Sequence, residues 1–271
     1  MNKKYFWSLL NLMMVVAIIS CGISCSDDDE GANNPGADDE GKEKVYTVNG
    51  VSFKMIAVKG GTFTMGATSE QYDADEEEFP THSVTLSDFY MGETEVTQEL
   101  WRAVMGANPS HFIGNMQRPV EMVSWDDCQT FISRLNQLTG EAFRLPTEAE
   151  WEFAARGGNS SEGYIYSGSN SIDKVAWYAS NASYTTHSVK IKSPNELGLY
   201  DMTGNVWEWC SDWYGPYSSE AQTNPTGPAS GTERILRGAS WCFTEEFCRI
   251  SCRNGNLPDC GLNGYGLRLA R

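Results

Sequence analysis

At 271 residues, with 40% hydrophobic and 12% aromatic content, the chain can bury one good core and is too short for two large domains. A net charge of −16 with no visible basic patch argues against nucleic acid as a partner, because phosphate binding needs clustered Lys and Arg. Nine Trp and 26 Gly point to a loop-rich fold pinned by aromatic anchors, and away from a helical bundle.

Lys3 and Lys4 precede an apolar run, Leu9 to Ile19, that is too short to span a bilayer and is followed closely by polar residues. Residues 1–25 therefore read as a secretion signal. Ser20-Cys21 and Ser24-Cys25 both resemble a bacterial lipobox, so lipidation is expected at Cys21 or Cys25. Ile18-Ile19-Ser20-Cys21 fits that pattern better, whereas Cys25 is the one followed directly by the acidic run SDDDE, which resembles the surface-export signal of Bacteroides-type lipoproteins. The expected location is the outer membrane, at the cell surface. Residues 26–44 hold eight acids, two lysines and no aromatic, so they cannot form a core and read as an extended, self-repelling tether.

The folded domain is expected over 45–271. Alternating apolar positions from Val45 to Val58 predict strands that end at Gly60-Gly61, with Phe63 and Met65 continuing. The acid-rich loop Glu70 to Glu78 reads as a solvated face. Thr97 caps a helix over Gln98 to Met105 that Gly106 ends. Ser124 and Asp127 form an acidic capping box before a helix with Cys128, Phe131, Ile132, Leu135 and Leu138 on its inner face, ending at Gly140. Thr147 and Glu150 repeat the box for a third helix ending at Gly157, with Trp151 and Ala155 buried. From Gly158 to Pro194 the chain is loop-like, with Trp177 and Tyr178 as anchors. His82, His111 and His187 are isolated from one another in sequence, which gives a histidine-ligated metal centre little support.

Gly204-Asn205 then signals a turn. Beyond it Trp207 and Trp209 fall on one face of an extended segment, and Val206, Glu208 and Cys210 on the other. Asp201 and Glu208 flank the turn, and on spacing alone they read as two solvated acids.

Several segments resemble the formylglycine-generating enzyme (sulfatase-modifying factor) family. They are GGTFTMG (60–66), FYMGETEVTQELW (89–101), PVEMVSWDDC (119–128), RLPTEAEWEFAARGG (144–158), GLYDMTGNVWEW (198–209), RGASW (237–241) and the closing GLRLAR. They run in family order from about residue 50 to the last residue. The resemblance implies an α+β domain of C-type-lectin-like fold, with few short helices and strands. It also implies a Ca²⁺ held by the Asp201 and Glu208 side chains and the Gly204 and Val206 carbonyls, a donor set of the hard-oxygen kind that calcium takes. A second family calcium site would begin near Asn181, where its later carboxylate has no clear counterpart.

Six cysteines remain after the signal, and an even set in an exported chain permits disulfides in many pairings. Catalytic members of the family oxidise a substrate cysteine with O₂ through two cysteines that bind Cu(I), a soft ion suited to thiolates. Their motif, Cys-His-x-Ser-Tyr-Cys, has four residues between the thiols. Here Cys242 and Cys248, the candidate catalytic pair, have five between them, and the His, Ser and Tyr are absent.

The same segment also resembles the variable region of retroelement-diversified proteins that share this fold. The frame residues Arg237, Gly238, Ser240, Trp241, Cys248, Arg249, Arg253, Pro258, Asp259, Gly266, Arg268 and Leu269 are kept. Cys242, Phe243, Thr244, Phe247, Cys252, Leu257, Cys260, Leu262 and Tyr265 are of types that randomising the adenines of an Asn codon produces, whereas Glu245 and Glu246 are not. Drift in a non-catalytic homologue gives the same pattern.

Two functions stay open at this stage. One is a surface-anchored module binding a protein or glycan through Trp241, Phe243, Phe247, Leu257, Leu262 and Tyr265. The other is a copper-dependent oxidase acting on a sulfatase through the C-terminal thiols.

Overall fold

The computed structural model describes residues 42–271. The signal, Cys21, Cys25 and the tether up to residue 41 lie outside the described residues.

β1 (Glu43–Val48) and β2 (Val51–Val58) form a hairpin around Asn49-Gly50, both at positive φ, as a two-residue turn between right-twisted strands requires. The strand thus begins at Glu43, two residues inside the segment expected to be tether. β3 (Thr62–Met65) and β4 (His82–Thr85) pair antiparallel, and β5 (Phe89–Gly92) adds to β2.

α1 (Gln98–Met105), α2 (Trp125–Thr139) and α3 (Glu148–Ala155) start where their caps predict. The hydroxyls of Thr97, Ser124 and Thr147 each accept a backbone N–H three residues on, and Asp127 and Glu150 reach back to complete the two boxes. Two boundary details differ from expectation. Leu138 is exposed: it lies on the same face as Phe131 and Leu135, in the last turn of the helix, where that face has run past the core. α3 stops at Ala155, with Gly157 in the left-handed region two residues later, and it is buried on every side, glutamates included.

The 158–194 stretch is irregular apart from one 3-10 turn and the short α4 (Ile172–Val175). β6 (Trp207–Trp213) is central to a four-stranded sheet in the order β10-β6-β8-β9, completed by β8 (Arg234–Arg237), β9 (Arg253–Asn256) and β10 (Tyr265–Leu267); β7 (Gln222–Thr223) joins β4. The alternation along β6 divides the core. Trp207 and Trp209 pack with Trp101, Phe131, Leu236 and Leu267, while Cys210 packs on the other side with Trp151, Phe153 and Ile235.

The acid-rich loop is not simply a solvated face. Glu78 is 1% exposed and takes both guanidinium nitrogens of Arg249 at 2.6 and 2.7 Å, and Glu70 pairs with Arg156; Glu76 and Glu77 do face solvent. The cations this loop holds are two arginines, Arg156 from mid-chain and Arg249 from near its end.

Candidate functional site

The turn after Asp201 is fastened on three sides. Gly204 N–H donates to Gly238 O and Asn205 N–H to Trp177 O. Gly204 has φ +79°, and a Cβ there would stand 2.3 Å from Trp177 O, so only glycine fits. Glu95 reaches the turn from the segment after β5: one oxygen accepts Val206 N–H at 3.1 Å and the other the Asn205 amide at 2.7 Å. The Asp201 carboxylate accepts Lys190 N–H at 2.8 Å. Glu208, 1% exposed, accepts from the Arg268 guanidinium at 2.7 Å and from the Trp151 indole N–H at 2.7 Å.

Asp201 and Glu208 are therefore not solvated acids. Three buried carboxylates, those of Glu95, Asp201 and Glu208, share one buried guanidinium. Burial raises the Asp201 carboxyl to about 6, with Glu208 adding to the push, and burial together with the Asp201 and Glu208 charges holds Glu95 well above the usual carboxylate range. Glu95 had no sequence signal beyond its place in the 89–101 motif, since nothing local shows that a residue 110 positions from Asn205 will hold it. Among the described residues no group of three or more His, Cys, Asp or Glu side chains converges as a metal site.

The C-terminal segment is built from inward arginines and outward apolar residues. Arg237, Arg249, Arg253 and Arg268 are each at least nine-tenths buried and bind Glu152, Glu78, Glu148 and Glu208 at 2.5 to 2.7 Å. Between them Cys242, Phe247, Leu257 and Leu262 are exposed. Phe243 is partly exposed and lies edge-on to both Trp207 and Phe247, at 5.3 and 5.4 Å. Trp241, also partly exposed, donates its indole N–H to Asn263 O and meets Phe112 edge-on.

Tyr265 does not belong to this surface. It is 6% exposed, packs edge-on to Trp209 and accepts the Asn256 amide on its hydroxyl, because β10 turns its side chain inward beside β6. Met122 joins the surface instead. It is 41% exposed, has φ +63°, and donates its N–H to Leu262 O. A left-handed methionine held open to solvent is a costly arrangement of the kind found where a surface is used.

The candidate catalytic thiols are split between surface and core. Cys242 is exposed, its sulfur 3.5 Å from Ser240 Oγ. Cys248 is 1% exposed, and burial, with Cys252 and Glu246 nearby, pushes its thiol far above its ordinary value. Copper binding and nucleophilic attack both need the thiolate, which this setting suppresses. All six described cysteines are free thiols, Cys128 fully in the core. The histidines are separately employed: His187 stacks on Trp177 at 3.8 Å, His82 packs on Tyr217, and His111 meets Phe112 edge-on.

The family model described as "Sulfatase-modifying factor enzyme 1-like domain" matches residues 45–271. Among similar relatives, the "Chaperone protein LppX" of Paenibacillus barcinonensis is 34% identical over 78% of this chain and 89% of its own length. The "Formylglycine-generating enzyme" of Streptomyces coelicolor is 30% identical over 80% of this chain and 88% of its own. Among solved structures, Treponema denticola variable protein 1 superposes with a TM-score of 0.76 at 36% identity, covering 84% of this chain and 98% of that one. PvdO from Pseudomonas aeruginosa gives 0.67 at 26%, covering 80% and 94%.

Proposed function

The chain belongs to the sulfatase-modifying factor family, with its α+β, C-type-lectin-like fold, and we propose that it serves as a ligand-binding module whose contact surface is the C-terminal segment. The observation that carries this reading is the exposure of Phe247, Leu257 and Leu262 between arginines that are each buried against a glutamate. Apolar side chains held in water on a rigid frame are the usual material of a binding patch. Similarity to a protein named as variable supports the same reading. So does the sealed Cys248, which disfavours the oxidase despite the formylglycine-generating relatives.

The ligand is a protein or a glycan. A panel of surface proteins and glycans is the test, read against the triple variant Phe247→Ala, Leu257→Ala, Leu262→Ala. Wild type should bind at least one member. The variant should bind that member more than tenfold more weakly, as loss of hot-spot contacts implies, with its melting temperature within a few degrees of wild type. In parallel, copper-loaded protein should leave a Cys-x-Pro-x-Arg peptide unmodified. A formylglycine mass shift that Cys248→Ser abolishes would make the enzyme reading the better one. A reverse-transcriptase gene with an Asn-rich template repeat beside the coding sequence would support diversification of the segment.

The proposal extends to two features of the chain. The protein is anchored at the cell surface through a lipid on Cys21 or Cys25; among the described residues no helix is long and apolar enough to cross a membrane, and intact mass of membrane-purified protein reads the diacylglycerol directly. A calcium ion is held by Asp201, Gly204, Val206 and Glu208. The surplus of buried negative charge around Arg268 supports it, and Glu208 would share its oxygens between the ion and Arg268. Binding to the folded state alone stabilises by about 2.7 kcal/mol at a hundredfold excess over Kd. The melting temperature should therefore rise with calcium relative to chelator, and Glu208→Gln should lose most of that rise; equal melting in the two buffers would count against the ion.

A further inference from the structure

A cavity of about 510 Å³ opens between the start of α3, the end of β6 and the 215–228 loop, and no exposed residue of the C-terminal surface lines it. Its walls are more polar than apolar, with Pro216, Pro225, Pro228 and Tyr217 supplying the apolar part. Glu148 and Arg253 also line it but are used up by each other, bonded at 2.6 and 2.8 Å, with the Tyr217 hydroxyl donating to the same carboxylate.

Asp212 and His82 are not used up. Asp212 is 4% exposed, and its Oδ2 accepts the Glu148 N–H at 3.1 Å and the Ser211 hydroxyl at 2.8 Å. The first of these bonds places Oδ2 at the N-terminus of α3, a favourable position for an anion, but it leaves Oδ1 with no hydrogen bond among the described residues. His82, 5% exposed, has Nδ1 3.2 Å from Pro80 O. A carbonyl only accepts, so the proton is on Nδ1 and Nε2 is an open acceptor.

Among the described residues no cation donates a hydrogen bond to either acceptor. Arg253 is committed to Glu148, and Arg234 donates to Ser211 O while lying between the rings of Trp125 and Trp213, at 3.9 and 3.4 Å. Burial, with Glu148 and Glu150 adding, consequently raises the Asp212 carboxyl to about 7. Both atoms belong to residues that are otherwise buried and have no protein donor, so they are free to accept from a ligand that brings N–H groups and positive charge. The volume lies within the range of small-molecule sites.

We propose that this cavity binds a small organic amine, its ammonium donating to Asp212 Oδ1 and His82 Nε2 and its carbon frame lying against the loop prolines and Tyr217. The reading is independent of the C-terminal surface, so its failure leaves that surface untouched.

Cadaverine and glucosamine are the probes, with 1-pentanol and glucose as uncharged counterparts, titrated into purified full-length protein and followed by calorimetry and by the Trp213 indole resonance. At least one amine should bind saturably and move that resonance, and neither counterpart should. Asp212→Asn should weaken amine binding at least tenfold. Should that variant fail to fold, Gln222→Trp, which fills the cavity from its partly exposed edge, decides the matter by abolishing the response. No saturable response to either amine, an equal response to the uncharged counterparts, or full amine binding by both variants overturns the proposal.

Discussion

Arg249→Met is expected to destabilise the domain by roughly 3–5 kcal/mol, the cost of leaving a buried charge without its partner. Glu78 would keep only the Ser251 hydroxyl and the Asp75 N–H after losing both guanidinium bonds. Methionine fills much of the arginine's volume, so the loss reports the charge and not a hole. For a domain of this size the melting temperature should fall by on the order of 10 °C. The pH dependence separates the two causes. Burial alone would raise the Glu78 carboxyl, but Arg249, Ser251 and the Asp75 N–H together hold it below its ordinary value. In the wild type its contribution is therefore present above the unfolded value of about 4.3 and lost as pH falls through the lower folded value. Without Arg249 burial wins, the folded value rises above the unfolded one, and ionised Glu78 opposes folding at neutral pH. The stability gap between the two proteins should narrow on acidification, first above about pH 4 as Glu78 of the variant takes up its proton and then further below it as the wild type loses its contribution. A gap that stays constant from pH 7 to pH 4 would show that the loss is packing alone.

Trp151→Ala should cost about 3–5 kcal/mol through its cavity alone. The side chain is fully buried in the middle of α3. It also donates to Glu208 at 2.7 Å, lies 5.2 Å from the Arg237 guanidinium, and packs so tightly on Gly238 that a Cβ there would come within 3.0 Å of the ring. The variant should therefore lose cooperative unfolding in denaturant or shift its midpoint far down. Trp151→Phe isolates the indole bond: it keeps most of the volume, drops the donor to Glu208, and should cost clearly less than the alanine. A cost below about 1 kcal/mol for Trp151→Ala would mean that the surrounding side chains collapse into the space the ring leaves.

What the amino-acid sequence made readable was local. Thr97, Ser124 and Thr147 mark their helices because a cap and its donor lie three residues apart, and Trp207, Trp209 and Cys210 divide the core because a strand alternates by construction. The family motifs carried the fold, as the match over 45–271 bears out. What stayed hidden depends on partners far along the chain. Glu78 looked solvated until Arg249 was beside it, as Glu208 did until Arg268 was, and Cys248 stood as half of a metal pair until its thiol proved to be buried. Tyr265 was misplaced on the surface, and Met122 went unnoticed there, for the same reason: neither a short strand nor a left-handed residue announces which way its side chain faces.

The arginine and glutamate of the four buried pairs are 171, 105, 85 and 60 residues apart, and every arginine is the later member. During synthesis Glu78, Glu148 and Glu208 exist for a long interval without their arginines, and Glu152 has only Arg156, four residues on. A core that closes without the arginines has to bury bare carboxylates, so collapse ahead of the C-terminus is penalised. The last residues add to this delay, since β10 completes the sheet alongside β6, and Gly92 and Tyr90 bond to Leu269 and Arg271. Native structure is therefore gained late and in one step, with the slow approach that contacts of such long range impose. A chain held loose until its final segment arrives keeps apolar surface and strand edges open for longer, so removal of even its last few residues should leave the whole domain unfolded.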